Sequence, residues 1–293
     1  MNARRKILRR IGMYMAAVVY GLFLLVPIMW IVVSSFQPES ALIGRTFDVK
    51  AKSWTLGNYT YIFTGQLPRT LSGELQTRVT QEVRLLPEAL VNSLIISTGA
   101  ALACLAAGLC AAYVFVFRKF RGKEGIFAYL LLTRLLPPIT IVIPIYVIIQ
   151  SVGLLGTRLG LILVYVSFIL PLSILFYRSY LSKIPKEICE AALIDGCSEW
   201  RMALHIILPI AKGGILAGTL FSFFLAYVDF LFGLVLSRGT KTMPVVLGAM
   251  AGNPDLSYSM LCAGVTIAII PSIIIGMIVR KYLVGGLFSY DKL

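Results

Sequence analysis

The segment of residues 182–205, between two apolar runs, combines proline, acidic residues, small side chains and glycine at defined intervals. Pro185 suits the first turn of a helix, because its missing N–H would be unpaired there anyway. Glu190 then falls near the positive end of that helix. Gly196 stands where the helix should end, and Ser198 can cap a second helix. The segment therefore predicts a short helical hairpin, whose chemistry would be recognition of another surface.

The small side chains of the hairpin favour close contact with a partner. Ala191 and Ala192 would let another surface approach, and Gly196 permits a turn that a side chain would obstruct. From the local chemistry alone, a plain cytoplasmic connector remains the alternative.

The same segment resembles the EAA loop of the permeases of binding-protein-dependent ABC importers. That family has Glu-Ala-Ala, then a glycine after three residues, and an isoleucine and Leu-Pro further on. The matching positions are Glu190, Ala191, Ala192, Gly196, Ile206, Leu208 and Pro209, with Asp195 before the glycine. The pattern is specific, because it combines long spacing with a defined place between two spans.

The resemblance extends over most of the chain and is closest to the maltose-transporter type of carbohydrate permease, in its shorter, six-span partner. The matching pieces include Pro27-Ile28-Met29-Trp30, Asn92-Ser93-Leu94, Arg134 to Pro138 and Thr242-Met243-Pro244. The chain departs from the family at residues 226–230, where many relatives have a Trp-Asn-Glu-like stretch. It also departs at the C-terminal tail, which in relatives is often glycine-rich and basic.

The resemblance implies a type I ABC importer permease core that receives its energy from another subunit. In the family, the EAA loop docks into a cleft of the ATPase, and Glu190 would reach a basic group there by a charge-assisted hydrogen bond. The other matched positions would form the close-packed turn (Ala191, Ala192, Gly196) and join the docking helix to the fifth span (Ile206, Leu208, Pro209).

The implied partners are a second permease subunit, an ABC ATPase dimer and an external solute-binding protein. ATP and Mg²⁺ would be bound by the ATPase, and this chain has no G-x-x-x-x-G-K-[ST] sequence of its own. We therefore expect no cofactor in this chain, which would be a transport subunit and not an enzyme.

Composition independently indicates an all-α membrane protein. Hydrophobic residues make up 58% of the chain and charged residues only 14%, against about 25% charged residues in soluble domains. The net charge of +14 does not indicate nucleic acid binding, because the basic residues lie in the breaks between apolar runs, as membrane topology requires.

Six apolar runs are long enough to span a bilayer, which takes about 20 residues. They are Ile11 to Phe36, Ala89 to Phe117, Gly125 to Val152, Leu159 to Leu181, Ile206 to Leu236 and Tyr258 to Val284. With the N-terminus inside, the inner segments hold 16 Lys and Arg residues and the outer segments hold nine. The positive-inside rule then places both termini in the cytoplasm of a bacterial inner-membrane protein. The whole chain, 1–293, is predicted to be a single permease domain.

The outer loop, residues 37–88, is too long for a simple connector and is predicted to fold into a small periplasmic cap. Basic residues on the outer side could help with an anionic cargo such as a uronate oligosaccharide: Arg45, Lys50, Lys52, Arg69, Arg78, Arg84 and Arg158. Five acids in the same loop largely cancel that field.

Arg134 and Asp229 are charged residues that lie within predicted spans. Such residues usually face the bundle interior or a water-filled path. They could line the translocation route, or they could have a structural role. Gly214 and Gly218 form a G-x-x-x-G pair that favours helix packing over ligand binding.

Alternative functions come from other classes. A stand-alone channel or secondary transporter would favour internal repeats, and we find no convincing one. A membrane enzyme would need a nucleophile–base or metal constellation, and the single histidine, His205, offers none. An ABC importer for a non-sugar solute also remains open, because other importer classes share the EAA loop.

Overall fold

A computed structural model of the chain describes residues 3–43, 54–66, 81–253, 255 and 257–288, and every regular element in them is helical. The helices are α1 (Ala3–Ser35), α2 (Glu39–Ile43), α3 (Gly57–Thr64), α4 (Gln81–Arg84), α5 (Leu86–Phe117), α6 (Lys123–Leu132), α7 (Pro138–Ser151), α8 (Arg158–Leu181), α9 (Lys186–Ile194), α10 (Glu199–Met202), α11 (Leu208–Tyr227), α12 (Leu231–Leu236), α13 (Met243–Ala251) and α14 (Tyr258–Phe288). A 3₁₀ turn (Thr133–Leu135) follows α6, and a π turn (Ala203–Ile207) joins α10 to α11.

Five of the six predicted spans are continuous apolar helices within the described residues: Arg10–Ser35, Leu86–Phe117, Arg158–Leu181, Glu199–Tyr227 and Tyr258–Ile278. The remaining span is divided. Its two helical pieces, Lys123–Leu135 and Pro138–Ser151, meet at an angle of 98°. Leu136 and Pro137 are both extended at this bend, because a residue that precedes a proline avoids the helical conformation.

The fifth span ends nine residues earlier than the sequence predicted. We expected it to continue to Leu236, but α11 stops at Tyr227 and the short helix α12 starts at Leu231. The span also begins earlier than predicted, at Glu199, because α10 and the π turn continue directly into α11.

The chain divides into two compact units, of which the first contains Met1–Pro87 and Leu247–Ile269. A buried carboxylate organises it. Glu39, which is 3% exposed, accepts hydrogen bonds from the Ser257 hydroxyl at 2.8 Å and from the N–H groups of Tyr258 at 3.0 Å and Ser259 at 2.9 Å. Glu39 therefore caps the N-terminus of α14, although the two are more than 200 positions apart in the sequence.

Other polar contacts order the described part of the predicted cap. The Asn58 amide donates to the carbonyl groups of Ser35 at 2.9 Å and Gln37 at 3.0 Å. The Arg84 guanidinium donates to the Tyr61 hydroxyl at 3.3 Å. Of the other outer basic residues, Arg45, Lys50, Lys52, Arg69 and Arg78 lie outside the described residues, as do residues 44–53 and 67–80 of the predicted cap.

The second unit contains Glu88–Val246 and Ile270–Leu293, and its core forms where α8 packs on α11. A Cβ atom at Gly218 would meet the Tyr177 ring at 2.7 Å, and one at Gly214 would overlap the Tyr180 ring. The glycine pair therefore packs helices, as predicted. Hydroxyl pairs join the same two helices, with Ser173 and Ser222 2.9 Å apart, a kind of contact that stabilises helix pairs in membranes.

Candidate functional site

The helical hairpin forms where the sequence predicts it. Helix α9 begins at Lys186, so Pro185 lies just before the first turn and not within it. After the helix, Gly196 has a φ of +77°. The N–H of Cys197 donates to the Ala192 carbonyl at 3.0 Å and that of Gly196 donates to the Leu193 carbonyl at 3.1 Å, which is the Schellman pattern. The predicted glycine stop is confirmed.

The second arm of the hairpin is continuous with the fifth span. The Ser198 hydroxyl accepts from the N–H of Arg201 at 3.4 Å, which confirms the predicted cap. The next turn widens into a π turn, in which the N–H of Leu208 reaches the Ala203 carbonyl. Pro209 explains it: the proline has no N–H, its ring would press on a carbonyl of the preceding turn, and a wider turn relieves both problems.

One face of the hairpin packs on the chain's own core. Cys189, Ala192, Met202 and Ile207 are buried among residues of α5, α8 and α11. Burial raises the pKa of the Cys189 thiol, and the neighbouring Glu190 carboxylate raises it further. Ala192 is therefore small because this core is close, and it is not available to a partner as the sequence suggested.

The opposite face is exposed and partly apolar. Glu190, Ala191 and Asp195 are exposed there, and no ion pair joins Glu190 to a cation of the described residues. Leu193 is 49% exposed and Ile194 is 86% exposed. A Cβ atom at Gly196 would meet no atom of the described part of the chain within 4 Å. This face has exposed carboxylates beside large apolar side chains, a combination that suits a protein partner.

The remaining residues of the predicted motif connect the hairpin to the span. Ile206 packs partly buried against the core of the second unit, Leu208 is half-buried, and Pro209 is exposed. An ion pair between Arg118 and Glu199 ties the end of α5 to the start of the second arm. Helix α10, the π turn and α11 are continuous, so the second arm of the hairpin leads without a break into the fifth span.

Arg134 lies at the bend of the third span and fastens it to α8. Its guanidinium donates to the backbone carbonyl of Phe168 and stacks over the ring of the same residue, 3.8 Å from the ring centroid. This contact positions the bend, while a role for Arg134 in the translocation path stays a prediction.

Asp229 lies in the break between α11 and α12 and does not pair with Arg134. One carboxylate oxygen accepts from the Tyr165 hydroxyl at 3.1 Å and from the N–H groups of Phe232 at 3.0 Å and Gly233 at 3.3 Å. Asp229 therefore caps α12. The sequence signal is the aspartate itself, since aspartate is one of the residues preferred at the start of a helix.

We expect Asp229→Asn to retain most transport and Asp229→Ala to lose it, because asparagine keeps an oxygen that caps the helix. The alanine variant should lose about 1 kcal/mol or more of stability and yield less folded chain by size-exclusion chromatography. Tyr165→Phe removes one of the three donors and should have a smaller effect. Uptake per folded chain decides the matter: an inactive but well-folded asparagine variant would mean that transport needs the charge itself.

Comparisons with known proteins identify the family of the chain. The family described as "Binding-protein-dependent transport system inner membrane component" matches residues 99–288. The trehalose/maltose transport system permease protein MalG of Thermococcus litoralis is 30% identical over 287 residues, which are 97% of each chain. The diacetylchitobiose uptake system permease protein NgcG of Streptomyces coelicolor is 26% identical over 273 residues, 92% of this chain and 84% of that protein.

Among solved structures, a bacterial ABC transporter involved in the import of the acidic polysaccharide alginate has a chain that matches with a TM-score of 0.74. The match covers 96% of this chain and 99% of that one, at 20% sequence identity. At that identity the likeness concerns the fold, and it agrees with the all-helical architecture and its apolar spans.

Proposed function

Because the chain belongs to the family of inner membrane components of binding-protein-dependent transport systems, we propose that it moves an oligosaccharide through an ATP-driven importer. It is a multi-pass protein of the cytoplasmic membrane and a permease subunit, not an enzyme. Importers of this family combine permease subunits, ATPase subunits and a solute-binding protein. In our proposal the permease pair is a heterodimer and both termini face the cytoplasm.

The observation that carries the coupling mechanism is the exposed face of the hairpin and its continuity with the fifth span. Glu190 is exposed and without an ion pair among the described residues, so it can accept a hydrogen bond from a basic group of the ATPase. Leu193 and Ile194 add apolar contact. ATP and Mg²⁺ are bound by the ATPase dimer, whose closure moves the hairpin together with α11 between two states.

The names of the relatives support the proposed cargo class. Two relatives are named for the transport of trehalose and maltose and for the uptake of diacetylchitobiose. An acidic oligosaccharide, such as one of uronates, is the narrower candidate, and the structure of the alginate importer is the observation that favours it. Arg158 would be available to such a cargo, since it is exposed although its side chain donates to Asn92 at 2.9 Å.

Co-purification tests the proposal. The tagged chain, extracted from its own membranes in mild detergent, should bring with it an ATPase and a second, similar permease. The solute-binding protein of the same importer can then be screened against neutral and uronate oligosaccharides. A chain that comes out alone, or only with copies of itself, would contradict the importer function and favour a channel or secondary transporter. A solute-binding protein that binds no sugar would be consistent with the importer function but would contradict an oligosaccharide cargo.

A further inference from the structure

An apolar groove with a volume of about 330 Å³ lies in the second unit, beside the arm of the hairpin that continues into the fifth span. One wall comes from the last turns of α5 and the other from α10, the π turn and the start of α11. Its lining includes Leu109, Cys110, Val114, Trp200, Leu204 and Leu208, and Arg118 and Glu199 lie at its charged end. Neither the hairpin's coupling face nor the predicted cargo route uses this groove.

The depth of the groove matches one leaflet of a bilayer. Leu109 and Arg118 are nine positions apart, which corresponds to roughly 13 Å along a helix at about 1.5 Å per residue. Half of a hydrocarbon core of about 30 Å is about 15 Å. A chain that enters at Arg118 and reaches Leu109 would therefore cross most of one leaflet beside an apolar wall.

The chain that follows the charged end of the groove is rich in basic residues. Arg118, Lys119, Arg121 and Lys123 follow α5 within six residues. Glu199 pairs with Arg118, but no ion pair engages Lys119 or Arg121 within the part of the chain that the structure describes. Trp200, at the groove, is 76% exposed, and tryptophan prefers the membrane–water boundary.

We propose that the groove binds an anionic phospholipid, with one acyl chain along Leu109 and Val114 and the phosphate between Arg118 and Lys119. Basic pockets between spans on the cytoplasmic side bind such headgroups, and a zwitterionic lipid would fill the groove without the same gain in charge. The placement requires the end of α5 to face the cytoplasm, as in the proposed function. The lipid would then contact both α5 and the second arm of the hairpin.

The test uses the purified full-length chain in nanodiscs that contain equal amounts of phosphatidylglycerol and phosphatidylcholine, with the retained lipids counted by native mass spectrometry. We expect retention of phosphatidylglycerol. Arg118→Gln combined with Lys119→Gln should lower it by roughly tenfold or more, and Cys110→Phe should lower it by filling the groove. Lys183→Gln with Lys186→Gln removes the same charge elsewhere on the same side and should leave it unchanged.

Several results would overturn the lipid site. Equal retention of both lipids would show that the groove does not recognise the headgroup. If inorganic phosphate competes with the headgroup while the acyl chain stays bound, the basic residues form an anion site and not a lipid site. Crosslinking from Cys110 to a second copy or another subunit would show that protein fills the groove. If Cys110→Phe does not elute as a folded chain, the double charge variant and its control decide. Loss of the ATPase in the co-purification would contradict the proposed function while leaving the lipid counts interpretable.

Discussion

Replacing Gly196 with leucine should reduce ATP-driven uptake to background while the chain still inserts in the membrane. The residue has a φ of +77°, which costs an L-residue about 1–2 kcal/mol. That cost alone would not unfold the chain. The added side chain would project from the turn between the two arms, where none of the described residues lies within 4 Å, and would obstruct the surface that we assign to the ATPase. The measurement is uptake together with the amount of ATPase that co-purifies.

Gly153→Leu is the matched control, because Gly153 also has a positive φ, +72°, and open space around its Cβ position. Gly153 lies between α7 and α8, next to the start of α8, whereas the hairpin follows the other end of α8. Both variants carry the same backbone strain, so the difference between them reports the docking surface. If Gly153→Leu abolishes co-purification equally, strain and not docking explains the loss. Normal uptake in Gly196→Leu would contradict the coupling role of the hairpin.

The hairpin could be predicted from sequence because its signals are local. Gly196 and Ser198 mark an end and a beginning through backbone preferences that depend on their own neighbours. The inward orientation of Ala192 was also present in the sequence, since Cys189 and Ala192 are three positions apart and share a helix face.

The intramembrane charges were harder to interpret, because hydropathy treats a span as one apolar run. The run from Ile206 to Leu236 concealed a helix break at which Asp229 caps α12. The contact between Arg134 and the Phe168 carbonyl joins residues 34 positions apart. No local pattern indicates which backbone group such a cation will meet, so only the packing of the bend on α8 reveals it.

Glu39 is the clearest case of a residue that sequence analysis counted only as one of several loop acids. Its partners, Ser257, Tyr258 and Ser259, follow it by about 220 residues. The first N–H groups of a helix have no partner within the helix, and at α14 a buried carboxylate from another segment satisfies two of them. Its negative charge also lies at the positive end of the helix dipole. Glu39 therefore stabilises the start of the last span.

We expect Glu39→Ala to destabilise the chain by about 2–6 kcal/mol, because it leaves two N–H groups at the start of α14 without an acceptor and each costs about 1–3 kcal/mol when buried. Glu39→Gln keeps one acceptor oxygen but directs an amide donor at the other N–H, so it should be intermediate. Size-exclusion chromatography after heating measures the loss.

Glu88→Ala is the control for helix-dipole effects alone. Glu88 lies in the first turn of α5 but is exposed, so its removal should cost only about 0.3–1 kcal/mol. We expect Glu39→Ala to be the least stable variant, Glu39→Gln to be intermediate and Glu88→Ala to be the most stable. Glu39 and Glu88 each place a negative charge near a helix N-terminus, so loss of that charge does not distinguish the two sites. The order therefore reports the number of N–H donors that each variant leaves unpaired. Equal stability of Glu39→Ala and Glu88→Ala would mean that water replaces the carboxylate at α14. The hydrogen bonds of Glu39 would then not be what holds the last span to the outer loop.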